Sequence, residues 1–207
     1  MPNAVLFVRE VEAALKKEQA KRTHFYEAID ENKKMEFING EIFFQSPVKL
    51  RHNVATLNVA KLLGTYTERH QLGFVGVEKI LVSLSRNDYE PDVCFFARER
   101  SIQFLPDQMQ FPAPDLVVEV ISNSTEHHDR VVKYQDYAAH GVREYWIVDP
   151  ENETIEQYSL NDDLEYELVL KSKDGTISSV AVLGFSVPVR AVFDNAVNLL
   201  ALKEMVI

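Results

Sequence analysis

Glu119 stands inside the run Leu116-Val117-Val118-Glu119-Val120-Ile121, where every other side chain is apolar. A run that is apolar on both faces belongs in the interior of a covered sheet, so this carboxylate is expected to be buried. An unpaired buried charge costs a large part of a domain's net stability. Glu119 therefore needs a metal ion or a basic side chain beside it, and Arg130, Lys133 and Arg143 are the basic candidates. Strand alternation puts Asp115, Val117, Glu119 and Ile121 on one face. Asp92 opens a second apolar run, Val93-Cys94-Phe95-Phe96. Two carboxylates from neighbouring strands can converge at a strand end and hold a hard cation such as Mg²⁺. That ion can activate water and neutralise charge on a phosphodiester. A purely structural ion pair at Glu119 accounts for the same residues.

The elements that must position these groups follow from pattern. The runs 116–121 and 145–148 flank a helix-length segment, 124–140, with Ser124 as N-cap and Gly141 as stop. This strand–helix–strand order predicts a parallel pair. Strands near 79–84, 92–97, 116–121 and 145–149 are expected to form one mixed sheet, packed on by helices near 53–69 and 125–139. Upstream, Val8, Val11, Ala14 and Leu15 give a helical spacing over 8–20. Asn39-Gly40 between two β-prone runs marks a hairpin, because both residues accept positive φ. After Pro150, the segments 154–159, 165–171 and 177–182 read as antiparallel strands, and 191–200 as a closing helix. The fold class is α/β.

Composition narrows the function. A chain of 207 residues with 46% hydrophobic residues, 7 Gly and 8 Pro is expected to form one domain, 1–207. The single cysteine, Cys94, excludes an intrachain disulfide framework and a Cys-rich zinc site, and its apolar neighbours predict a buried small hydrophobe. No stretch approaches a membrane span, and residues 1–10 lack the basic-then-apolar order of a secretion signal, so a cytoplasmic location is expected. The net charge of −10 runs against extended nucleic-acid contact, which needs a basic surface. The one basic cluster is Lys16, Lys17, Lys21 and Arg22, a solvated helix face or a DNA contact. Adjacent His127 and His128 point in different directions on a helix and make poor joint ligands.

Several separated blocks carry a resemblance. They are Met35-Glu36-Phe37-Ile38-Asn39-Gly40-Glu41 with His52, Glu90-Pro91-Asp92, Ala113 to Ser122, Asp129-Arg130-Val131-Val132-Lys133-Tyr134, and Gly141 to Pro150. Together they resemble a widespread bacterial family of restriction-endonuclease-like proteins of the PD-(D/E)XK nuclease superfamily, over roughly residues 23–200. The resemblance implies a restriction-endonuclease-like mixed central sheet flanked by helices, with antiparallel C-terminal strands. It also implies Mg²⁺- or Mn²⁺-dependent hydrolysis of phosphodiester bonds in DNA. In the superfamily motif an Asp follows Pro on one strand and Glu-x-Lys lies on the next, so Asp92 and Glu119 match, whereas Ile121 occupies the lysine position. Lys133, from the following helix, is the candidate displaced lysine, and Glu36 the candidate third metal-binding carboxylate. A homodimer suits cutting of both strands. The alternative is a catalytically inactive nuclease-fold module that binds nucleic acid or protein, which the missing lysine and the acidic balance favour.

Overall fold

The computed structural model describes residues 3–29 and 33–206. Helix α1 (Ala4–Ala28) precedes the hairpin β1 (Met35–Ile38) and β2 (Glu41–Phe44), and α2 (Leu50–His70) follows. Next come β3 (Gly73–Val77), β4 (Leu81–Ser83), β5 (Asp88–Tyr89), β6 (Val93–Ala97), the single turn α3 (Arg98–Ser101), β7 (Gln110–Phe111) and β8 (Leu116–Val120). A π-helical stretch, His128–Lys133, runs into α4 (Tyr134–Ala139). The chain closes with β9 (Glu144–Asp149), β10 (Thr154–Leu160), β11 (Tyr166–Ser172), β12 (Thr176–Ser178), β13 (Ser186–Pro188), a 3-10 turn (Val189–Val192) and α5 (Asn195–Val206).

The main sheet has six strands in the order β11-β10-β9-β8-β6-β3. Its two most apolar strands, β8 and β9, are parallel neighbours in the register Val118↔Trp146, as their helical crossover requires. All its other pairs are antiparallel, including the C-terminal β10 and β11. One face carries Val93, Phe95, Val118, Trp146 and Val148 and is covered by α2 and α5. The opposite face carries Cys94, Phe96, Val117, Tyr145 and Ile147, and packs on Tyr137 and on residues of a second, smaller sheet.

That smaller sheet, β2-β1-β5-β4-β7, corrects the expectation of one sheet containing 79–84. The chain leading into it from Val77, which also reads as strand, is broken at Glu78, whose φ is 60°. Its first part extends back to Gly73 and becomes the edge strand β3, while β4 crosses into the other sheet. β3 approaches β6 so closely that a Cβ on Gly76 would lie 2.6 Å from Ile80 Cγ1 and 3.0 Å from Cys94 Sγ. The glycine that weakens the strand signal is the one the packing needs. At Asn39-Gly40 the hairpin reading holds, with φ of 52° and 82°.

The helix expected over 8–20 is part of α1; its Val8, Val11 and Leu15 are exposed, while its buried residues are Arg22 and Phe25. One further expectation changes. Ser124 is not a cap. Instead the Ser122 carbonyl accepts from the amides of Thr125 and Glu126, and the Ser122 amide donates to Thr125 Oγ1. The basic cluster also divides. Lys21 pairs with Glu41, and Arg22 is a buried staple. Its Nε and Nη2 donate to Asp88 Oδ2 and Oδ1 at 2.6 and 2.9 Å, and its other donors reach the carbonyls of Leu84 and Ser85. Arg22→Met leaves the Asp88 carboxylate buried without its cation. The expected cost is about 3 kcal/mol, read as a lower urea midpoint at unchanged m-value. A midpoint equal to that of the parent contradicts the staple.

Candidate active site

The loop after β5 brings Asp92 to the start of β6, and alternation turns it to the face that also carries Cys94 and Phe96. Its Oδ2 accepts from the Val120 amide at 2.8 Å, one residue beyond Glu119. Lys34 Nζ lies 3.1 Å from Oδ1, and His52 Nε2, from the first turn of α2, lies 3.4 Å from Oδ2. Burial alone would push this carboxyl up. The His52 contact, the charge of Lys34 and the Val120 amide outweigh it and hold Asp92 at about 2. His52 is itself desolvated, yet is raised from its ordinary value by Asp92.

Glu119 sits on the same face, 3% exposed, in the fully buried strand β8. Lys133, 2% exposed, comes down from the π-helical stretch. Its Nζ lies 2.9 Å from Glu36 Oε1, 3.1 Å from Glu119 Oε1 and 3.2 Å from Asp129 Oδ1, and 5.6 Å above the ring of Tyr89. Tyr137 donates to Glu119 Oε1 at 3.3 Å. Glu36 is a buried residue of β1, and its Oε1 also accepts from the Glu90 amide at 3.0 Å. The Glu90 carboxyl in turn accepts from the Met35 amide at 2.9 Å, and burial raises it to about 7.

The electrostatics separate this cluster from an ordinary buried ion pair. Glu36, Asp92, Glu119 and Asp129, all buried, face Lys34, Lys133 and His52. Burial and the charges of Asp129, Asp92 and Glu36 push Glu119 well above its ordinary value despite Lys133. The ammonium of Lys133 is desolvated, yet its three carboxylate neighbours hold it well above the usual lysine range, so it stays protonated. Asp129 Oδ1 is buried without a hydrogen bond, because Lys133 approaches it off-angle. Elsewhere in the sheet, Glu144 shows how this protein satisfies a carboxylate of purely structural use. It accepts from Trp146 Nε1, Gln157 Nε2, Ser179 Oγ and the amides of Val180 and Ala181.

Asp92, Glu119, Glu36, Lys133 and Asp129 line one cleft of about 490 Å³ that opens past Ser122, Asn123 and His128. A larger cavity, about 1010 Å³, is lined mostly by apolar side chains such as Phe74, Ile102 and Phe111, and gathers no comparable set of charges. Excess buried negative charge and an unsatisfied carboxylate oxygen are what a hard cation relieves, and an all-oxygen donor set suits Mg²⁺ or Mn²⁺. Among the described residues, no group of three or more His, Cys, Asp or Glu is placed to hold an ion. Glu36, expected as a third ligand, is drawn onto Lys133 instead. Asp92 and Glu119 both line the cleft, and Mg²⁺ sites often use one or two carboxylates completed by water and substrate phosphate.

The expected residues Asp92, Glu119, Lys133 and Glu36 thus line a single cleft. Lys34, His52, Asp129 and Tyr137 contact them and are not among the expected site residues. His52 and Asp129 lie in blocks that carry the resemblance, and Asp129 also stands four residues before Lys133, the spacing at which helix side chains pair.

The family model Uma2, described as "Putative restriction endonuclease", matches residues 22–190. Two uncharacterised proteins of Synechocystis sp. (strain PCC 6803) are similar to this chain. One, sll1609, is 29% identical over 137 residues, covering 65% of this chain and 77% of its own length. The other, slr1290, is 26% identical over 168 residues, covering 79% and 85%. A solved structure, titled as "a putative nuclease belonging to DUF820" from Anabaena variabilis ATCC 29413, superposes with a TM-score of 0.70 at 16% identity, over 82% of this chain and 94% of that one. This likeness establishes a shared restriction-endonuclease-like fold, with a mixed sheet flanked by helices.

Proposed function

The chain belongs to the Uma2 family, and from that premise we propose that it is a Mg²⁺- or Mn²⁺-dependent endodeoxyribonuclease of the PD-(D/E)XK kind. In this reading it is one nuclease-like domain working in the cytoplasm, and a homodimer suits a cut in both strands. The observation that supports it most is Lys133 Nζ at 3.1 Å from Glu119 Oε1, inside a cleft that Asp92 also lines. A lysine from the helix stands beside the glutamate although Ile121 fills the usual lysine position.

Asp92 and Glu119 would hold the ion. When bound, it would supply charge neutralisation on the phosphodiester and a more acidic water. Asp92 suits this because His52, Lys34 and the Val120 amide keep it ionised. Lys133, always protonated, donates rather than accepts. It orients the attacking water or stabilises the charge that develops on phosphate oxygens. Glu36 fixes the ammonium, and the Glu90 amide fixes Glu36, so the donor is aimed before substrate arrives.

Thermal unfolding after chelation tests the metal site. At a concentration 100-fold above its Kd, an ion that binds only the folded chain stabilises by about 2.7 kcal/mol. Mn²⁺ or Mg²⁺ should then raise Tm by several degrees. No response to either ion, together with no DNA cleavage, overturns the proposal. The second reading, a binding module that does not cut, draws on the absence of a three-ligand group among the described residues. Ion binding without cleavage favours it.

A further inference from the structure

We propose that the cleft takes unpaired DNA, with bases stacked on the aromatic edge of the β1–β2 hairpin; this rests on the nuclease reading of the same site. The groups at the bottom are nearly inaccessible, with Glu119 3% and Lys133 2% exposed. A scissile phosphate must descend to them, which a flexible single strand does more easily than a stiff duplex. At the mouth, β2 is the outer strand of its sheet, and it turns Phe43 and Phe44 to solvent, 36% and 63% exposed. Both rings line the cleft. Phe43 is braced by His128, ring centroids 4.8 Å apart, and Lys33 Nζ lies 5.9 Å from the Phe44 ring.

Paired bases hide their faces inside the helix, whereas unpaired bases offer them to aromatic side chains. The charge balance agrees. A duplex grip built on phosphates needs many cations. This chain carries −10 overall, and among the described residues the cations near the cleft mouth are few: Lys33 beside Phe44, Lys49, and Arg51, the last paired with Glu151 at 3.3 Å. Stacking supplies affinity that so few cations cannot.

The test is fluorescence anisotropy of the full chain in EDTA, where cleavage is off, with a labelled single-stranded oligonucleotide and with its duplex. The single strand should bind more tightly. Phe44→Ala should weaken it by about 5- to 150-fold, the range for losing one base stack, Phe44→Trp should preserve it, and duplex affinity should not change. Because Phe44 is exposed, the alanine variant should keep its fold, checked by an unchanged Tm. Equal or tighter duplex binding, or unchanged single-strand affinity in Phe44→Ala, overturns the inference. If a Phe43→Ala/Phe44→Ala chain still cuts a single-stranded DNA circle with Mn²⁺ at the parent rate, the nuclease reading stands and this inference falls. If neither form of DNA is bound or cut, both fall.

Discussion

Lys133→Met should cost about 5 kcal/mol of stability in EDTA, the upper end for removing one partner of a buried ion pair. Methionine keeps nearly the same length and volume, so the loss reports charge. Glu36, Glu119 and Asp129 all lean on this one ammonium, each within 3.2 Å of it. Without it they must protonate or repel. Mn²⁺ should recover part of the loss, because carboxylates released from Lys133 become available to an ion. Cleavage should fall by about 10²- to 10³-fold, the scale of losing one donor aimed at developing charge. A Lys133→Met chain as stable as the parent, or as active, contradicts the placement or the role.

Glu119→Gln should separate the two properties in the opposite direction. Cleavage is expected to drop by on the order of 10²-fold or more, as one electrostatic element of a hydrolytic site is lost. Tm in EDTA should stay level or rise. The sign follows from linkage. The Glu119 carboxyl is raised well above its ordinary 4.5, first by burial and then by the charges of Asp129, Asp92 and Glu36, despite Lys133. Folding therefore favours its protonated form. The cost of ionising it is absent below about pH 4.5 and sets in as pH rises above that value. Glutamine removes that cost, and Lys133 keeps Glu36 and Asp129. The gain over the parent should grow with pH. If Glu119 were only the partner of a structural ion pair, the same substitution would lower Tm at every pH above 4.5. A group that costs stability where it stands is the pattern expected of a site kept for chemistry.

How much of this was legible in the sequence depends on range. The runs at Val93–Ala97, Leu116–Val120 and Glu144–Asp149 declare themselves, because strands covered on both faces are apolar throughout. Glu119 declares itself as the exception within one of them. Asn39-Gly40 fixes its hairpin locally. The second sheet was hidden because its strands are two to four residues long, apart from pairing that only the tertiary fold supplies. The same holds for β3, whose two glycines lower its strand signal while serving close packing. In α1 the spacing of Val8, Val11 and Leu15 marks the helix but not what buries it, which is Phe25 and Arg22 near its other end. No sequence signal announces the π-helical stretch that carries Asp129 and Lys133, and such stretches often accompany functional sites. The resemblance named Lys133 as a candidate. The chain of contacts through Glu36, Glu90 and Met35 needed the fold, since those groups meet across 55 residues of sequence between Met35 and Glu90.

The most direct test of the account is cleavage of supercoiled plasmid, beside a single-stranded DNA circle, with Mn²⁺ and with EDTA, by the parent chain and by Glu119→Gln. The account predicts that the parent nicks or cuts DNA in Mn²⁺ and not in EDTA, and that Glu119→Gln, folded and at least as stable, does not. A parent chain that binds Mn²⁺ yet leaves both substrates intact, or a Glu119→Gln chain that cuts as fast as the parent, contradicts it.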